Sequence, residues 1–261
     1  MDAQTAAGLG AHARADDSLE GMQRRLDAAP RPVMNAAGVA LRVVAARAGG
    51  ALAYERSVHE RGELPVQPGS RHDRCNVEAW CRFPRVKARI NAGHVAEDGR
   101  PAGANGRTRR RDALTLLDEA GALVAVSDPR VEPMVRAFAW RRLFVEHRAL
   151  ALAAMRCEVV GHGLMASLER PFVGLTARAL FVPLAPSVLA ADETTRRAAL
   201  DETAAALVDA LAAPADLAPL PVLGIPGWWP ANEDPAFYDN RTYFRPGRTR
   251  ATRTPAPGGA G

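Results

Sequence analysis

Apolar positions along the chain follow two kinds of pattern. After Asp73, a candidate helix cap, Val77, Trp80 and Cys81 recur at three- and four-residue spacing. Beyond Pro84, Val86, Ile90 and Val95 continue a second such face. Asp128-Pro129 opens a further helix through Val135, Phe138, Leu143 and Phe144, with more helix over residues 147–154. The longest helical pattern covers residues 190–213, with Leu200, Leu207, Val208 and Leu211 inward and acidic residues near its start. The second pattern is the short apolar run. Residues 113–117 and 122–126 flank Asp118-Glu119-Ala120-Gly121, the clearest hairpin signal in the chain, and residues 177–183 read as a lone strand. Residues 157–168 are apolar and poor in charge, which predicts burial. Residues 39–53 fit either a helix broken at Gly49-Gly50 or a strand, and Pro65 and Pro68 keep residues 64–71 out of a helix.

This order predicts an α+β fold: one mainly helical domain with a short antiparallel hairpin or small sheet, and no regular βαβ alternation. The domain is expected to span residues 31–246, with a surface loop over 99–111. Residues 1–30 read as poorly ordered apart from one short helix over 18–28, and residues 247–261 as a disordered basic tail. The last ordered layer is a Pro/Trp-rich cap, PVLGIPGWWPANEDPAFYDNRTYFRP, in which Trp228 and Trp229 are adjacent and cannot share one face.

Composition narrows this picture. At 261 residues and 48% hydrophobic, the chain can bury a sizeable core. Cys75, Cys81 and Cys157 form an odd set without CxxC spacing, which argues against a disulfide scaffold or a thiolate zinc knuckle and fits the cytoplasm. No run of eighteen uncharged apolar residues predicts a membrane span. The formal charge of +5 sits largely in arginines of the loop and tail, and arginine heavily outnumbers lysine, so basicity is a weak pointer to nucleic acid. There is no GxGxxG after a strand, no GxxxxGK[ST], no HExxH and no GxSxG, which leaves the common nucleotide, zinc-protease and serine-hydrolase classes without support.

Four stretches together resemble the DUF3025 family of bacterial proteins of unknown function: RHDRCNVEAWCRFPRVKARIN, RRDALTLLDEAGALV, VVGHGLMASLERPFVGLTARAL and the cap sequence itself, within residues 55–248. The resemblance implies a single intracellular domain and assigns no substrate and no cofactor. The family pattern has an aromatic before the His-Asp pair and aromatic or aliphatic residues after it. Here Arg71, Arg74 and Cys75 take those places, making the local surface more basic.

The candidate chemistry rests on His72, Asp73, Asn76, Asp112, His162, Asn232 and Asp234. His72 and Asp73 stand at a helix start, as a base or ligand pair or as a loop residue beside a cap. His162 lies in an apolar run between Gly161 and Gly163, whose missing side chains permit close approach of backbone or ligand. Asp112 either pairs with the preceding arginines or ends a strand. Asp118 and Glu119 read as hairpin-turn residues. Asn232 and Asp234 either hold their own turn or face a pocket walled by a histidine. The leading expectation is a small-molecule or hydrolytic enzyme with a polar pocket beneath the cap. The alternatives are a nucleic-acid-binding or ribosome-associated protein using its arginines, and a protein-interaction module without catalysis. No cofactor or metal is assigned.

Overall fold

The structure is a computed structural model that describes residues 16–101 and 106–247. Its centre is strand β3 (Gly121–Val126), a six-residue apolar run buried throughout. Two further strands arise from the chain as β1 (Arg42–Ala45) and β2 (Glu63–Val66), which pair parallel to form a small separate sheet. The main sheet adds β4 (Met155–Val159), β5 (Thr176–Pro183) and β6 (Ala218–Pro221) in the spatial order β4-β3-β5-β6. Strand β3 runs antiparallel to β4 and parallel to β5, and β5 runs antiparallel to β6. Immediately after β6 the Val222 N–H donates to Leu175 O, which precedes β5. By the two-residue period of a strand, the nitrogens of Pro219 and Pro221 therefore face away from β5.

The period of two also sorts the core. Ala122, Val124 and Val126 join Cys157, Phe181 and Leu220 on one face. Leu123 and Ala125 join Leu180 and Val182 on the other. The second face is covered by α4 (Pro84–Ala96), α5 (Arg109–Ala120), the short α9 (Pro186–Leu189) and α10 (Glu193–Ala210) through Val86, Ile90, Leu114, Leu117, Leu189, Leu200 and Val208. A third apolar cluster joins α1 (Leu19–Asp27) and α3 (Arg71–Arg82) to β1 and β2 through Met22, Leu26, Val77 and Trp80. Helix α1 is the short helix expected near the N-terminus, capped by Ser18. Helix α2 (Ala51–Arg61) connects the two small strands, which resolves the ambiguous 39–53 pattern into strand β1 followed by the start of this helix.

The mainly helical α+β expectation is met, but the expected hairpin does not form: β3 pairs antiparallel with β4, which follows only after intervening helices. Residues 113–117 belong to α5, and Asp118-Glu119 is the last turn of that helix, not a β-turn. Thr108 caps α5 by accepting from Arg111 N, so the final residues of the expected 99–111 loop are helical. Asp112 accordingly lies in the first turn of a helix and opens no strand. The helix then runs without a loop into β3 at Gly121. Here Gly161 packs so closely that a β-carbon on it would lie 2.2 Å from Gly121 N.

The helix expected through Phe138 is also interrupted. Helix α6 (Val131–Arg136) ends, Phe138 takes a left-handed φ of 56°, and a π-helical turn (Arg142–Glu146) precedes α7 (Arg148–Ala154). That break seats Trp140 against Phe144 and lets its Nε1 donate to Arg245 O at 3.0 Å. The basic tail beyond residue 247 lies outside the described residues.

The cap is packed as expected. It consists of short 3₁₀ turns closed over the first face of the sheet by Tyr238, Tyr243 and Phe244, with Trp228 and Trp229 half-buried at its rim. Tyr243 Oη accepts from Leu223 N and donates to Leu175 O at 2.7 Å, and Tyr238 Oη donates to Gly224 O. Among the described residues no helix is long and apolar enough to cross a membrane.

Candidate metal centre

Helix α3 presents one polar stripe. Ser70 caps it, accepting from Asp73 N, while Asp73 reaches back to accept from Gln67 N at 2.7 Å. The two bonds tie the first turn to the chain that enters it. His72, Asn76 and Trp80 then follow at four-residue intervals along one side of the helix. Helix α4, started by Pro84, adds Lys87, Asn91 and His94, and α2 adds Tyr54 and Glu55. The end of α5 contributes Asp118 and Glu119, and α8 (His162–Leu168) contributes His162 at its first position.

Two glycines bring α8 onto the end of α5. Gly161 N donates to Gly121 O at 2.9 Å. A β-carbon on Gly163 would stand 2.7 Å from Glu119 Oε2 and 3.0 Å from Glu119 O. Only hydrogen fits at that approach, and the approach sets His162 Nε2 3.5 Å from Glu119 Oε1. The His72 ring meets the His162 ring edge-on, with centroids 4.4 Å apart, and its Nε2 lies 4.0 Å from the same Glu119 oxygen. One ligand atom from each of His72, Glu119 and His162 thus falls within 4.8 Å of the other two. Behind them, Asp118 Oδ2 stands 3.8 Å from His162 Nδ1, and Lys87 Nζ donates to Asp118 Oδ1.

The two carboxylates at the end of α5 are both held in their charged form. Carboxylates in the last turn of a helix face the negative end of its dipole, and α5 has no basic residue there to compensate. Burial pushes the Asp118 carboxyl up, but Lys87 and then His162 outweigh it and hold the group below the usual carboxylate range. Glu119 is also lowered, first by hydrogen bonding from His162 and against the effect of burial. Further in, burial followed by the Asp118 charge raises Glu55 to about 8, although Asn91 Nδ2 donates to it at 2.6 Å. Burial lowers His94 to about 4, so it is neutral at pH 7. Tyr54 Oη accepts from Asn76 Nδ2 at 2.7 Å. Asn76 Oδ1, Asn91 Oδ1, Trp80 Nε1 and His162 Nδ1 are buried without a hydrogen-bond partner among the described residues.

Two imidazoles and a carboxylate are a ligand set for a transition-metal ion, and three protein ligands leave coordination positions open to water or substrate. Asp118, 3.8 Å from His162 Nδ1, is placed where an outer carboxylate would orient that histidine on a bound ion. The observed separations exceed the roughly 3.3 Å edges of a tetrahedral zinc site, so the side chains would have to close slightly to hold such an ion. His72 and Glu119 are about half exposed, with room to do so, and His162 is 7% exposed and fixed.

Of the residues singled out in the sequence, the structure gathers His72, His162 and Asn76 on this side of α3. Asp73 ties the helix start. Asp112 pairs with Arg107 at 3.3 Å. Asn232 is buried in the cap, where its Nδ2 donates to Leu223 O and Ile225 O, and Asp234 caps the next turn through Ala236 N. Neither Asn232 nor Asp234 bonds a histidine. Arginines of α3 and α4 have acidic partners: Arg74 with Asp17 and Glu169, Arg82 with Glu158, and Arg85 with Glu202. Burial raises the thiols of Cys75 to about 11 and Cys81 to about 12, which removes them as nucleophiles at neutral pH. Sequence reasoning missed Asp118 and Glu119 as site residues, and with them Lys87, Glu55 and Tyr54. The i, i+3 pair Leu114 and Leu117 was the available signal that residues 113–119 are helical.

An α+β domain with a two-histidine, one-carboxylate cluster at the junction of a helix end and a central strand is the class that fold and site define. The chain belongs to DUF3025, a family described as proteins of unknown function, whose model matches residues 41–248. No curated protein and no solved structure matches the chain.

Proposed function

We propose that this protein is a metal-dependent enzyme, hydrolytic in type, acting on a small polar molecule at His72, His162 and Glu119. The observation that carries the reading is the meeting of those three ligand atoms within 4.8 Å, backed by Asp118. A divalent ion held there supplies Lewis-acid polarisation and a nucleophilic water near neutral pH. The chain's own residues do the rest. His162 is held by the Gly161 and Gly163 contacts, Asp118 stands 3.8 Å from its Nδ1 as the carboxylate that would steady the ring on an ion, and the half-exposed His72 and Glu119 leave one side of the centre open to solvent. The three cysteines are all free, which supports a cytoplasmic setting. The polar residues of this reading come from α2, α3, α4, α5 and α8, without Asn232 or Asp234.

The test is direct titration of freshly prepared, chelator-treated protein with Zn²⁺ and Co²⁺, followed by a screen of ester, amide and phosphoester substrates on the loaded protein. One ion per chain with micromolar or tighter affinity is expected. His162→Ala and Glu119→Gln are each expected to weaken it at least about 100-fold while the fold is retained. Wild-type protein that takes up neither ion would sink the reading.

A further inference from the structure

Lys87 is the only lysine among the 34 basic residues of the chain. Every other position that carries a permanent positive side chain has arginine, including positions where lysine would serve equally well on an exposed surface. The one exception is almost fully buried, with its side chain 3% exposed. It donates to Asp118 Oδ1 and lies 5.7 Å from the centroid of the Trp80 ring. The other oxygen of the same carboxylate faces His162 Nδ1.

We propose that Lys87 is a positioning residue of the metal centre: its ammonium fixes the Asp118 carboxylate against His162, and the place requires a lysine. The inference rests on the metal-centre reading above. An ammonium is a compact charge with three donors in a tetrahedral fan, whereas a guanidinium is a planar fork with five. Between Asp118 and the face of Trp80, a guanidinium would bring extra N–H groups into a buried space and turn its plane towards the carboxylate as a two-pronged clamp. That clamp takes both Asp118 oxygens, including Oδ2, the one His162 faces. An uncharged residue leaves the carboxylate buried without its partner. In both cases His162 loses the fixed outer partner that orients its ring.

The experiment compares wild type with Lys87→Arg, Lys87→Met, Asp118→Asn and the double variant Lys87→Met/Asp118→Asn. Co²⁺ and Zn²⁺ affinities are read by competition with a chromophoric chelator, and the visible spectrum of bound Co²⁺ reports coordination. Circular dichroism and thermal melting confirm the fold. Each single variant is expected to bind 10- to 100-fold more weakly with an altered Co²⁺ spectrum, the usual scale for losing an outer-shell partner. The double variant should be no weaker than the worse single one, because both act through one chain of contacts.

Wild-type affinity in Lys87→Arg overturns the requirement for lysine, and wild-type affinity in Lys87→Met overturns the positioning role. Additive losses in the double variant also overturn it. If Lys87→Met does not fold, Lys87→Arg and Asp118→Asn decide the matter. A wild-type protein that binds no ion removes the metal reading and this inference together, an outcome distinct from metal binding that ignores Lys87.

Discussion

In the C-terminal cap, the buried polar side chains close on their own backbone. Asn232 holds two carbonyls, Tyr238 one, and Tyr243 both a carbonyl and an N–H. Around Lys87 the opposite holds. Asn76, Asn91, Trp80 and His162 each keep a buried polar atom without a partner, and three acidic groups crowd one side of the centre. A buried group satisfied by the chain stabilises the fold, whereas one left unsatisfied lowers stability and remains available to bind something. The more conspicuous region in the sequence, with its paired tryptophans, is therefore structural. The proposed centre instead draws on a helix end whose residues look like a turn in the sequence.

If this contrast is right, damage to the two regions separates into different measurements. The largest effect is expected from Phe244→Ala, which empties a buried aromatic site in the cap. It should cost about 3–5 kcal/mol in urea unfolding, with metal affinity of the folded fraction unchanged. Asn232→Ala strands two buried carbonyls and should cost about 2 kcal/mol, again without touching the centre. A shift in metal affinity from either cap variant would break the comparison.

Gly163→Ala tests the other side. Its methyl group would push against Glu119, so metal affinity is expected to fall roughly tenfold with a smaller change in thermal stability; unaltered affinity would separate the glycine contact from the centre. The smallest effect is on pH dependence. The folded protein raises Glu55 from 4.5 to about 8, so this group favours the folded state below pH 4.5 and its contribution is lost as pH rises through 8. His94, lowered to about 4, works the other way: its contribution is present above pH 6.5 and lost as pH falls towards 4. Glu55→Gln should therefore flatten the decline above pH 6.5 and raise stability at pH 8 by roughly 1–2 kcal/mol. Parallel stability curves for the two proteins between pH 6.5 and 8.5 would refute the placement of that carboxyl.

The α+β class, the helices that became α3, α4 and α10, strand β5 and the packed cap were all legible, because each rests on a long or unbroken apolar period. The hairpin was misread for a local reason. Helix α5 passes into β3 with no connecting residues, so Asp118-Glu119-Ala120-Gly121 has the composition of a turn while its first three residues keep helical geometry. What permits that abrupt switch is Gly161 lying against Gly121, forty residues away in sequence and invisible to any local window. His72 and His162 could be picked out as unusual residues, but their 4.4 Å meeting depends on the same long-range contact. Glycines on both sides of His162 were the readable trace of it.

Strand β6 carries a consequence for the life of the protein in crowded solution. The outward-facing nitrogens on this border of the sheet belong to Pro219 and Pro221, and a proline nitrogen has no hydrogen to offer. A strand from another molecule that approached this border would find no donors at those two places. Growth of the sheet beyond four strands is thereby disfavoured on that side, and the two prolines act as a built-in guard against fibril-like association.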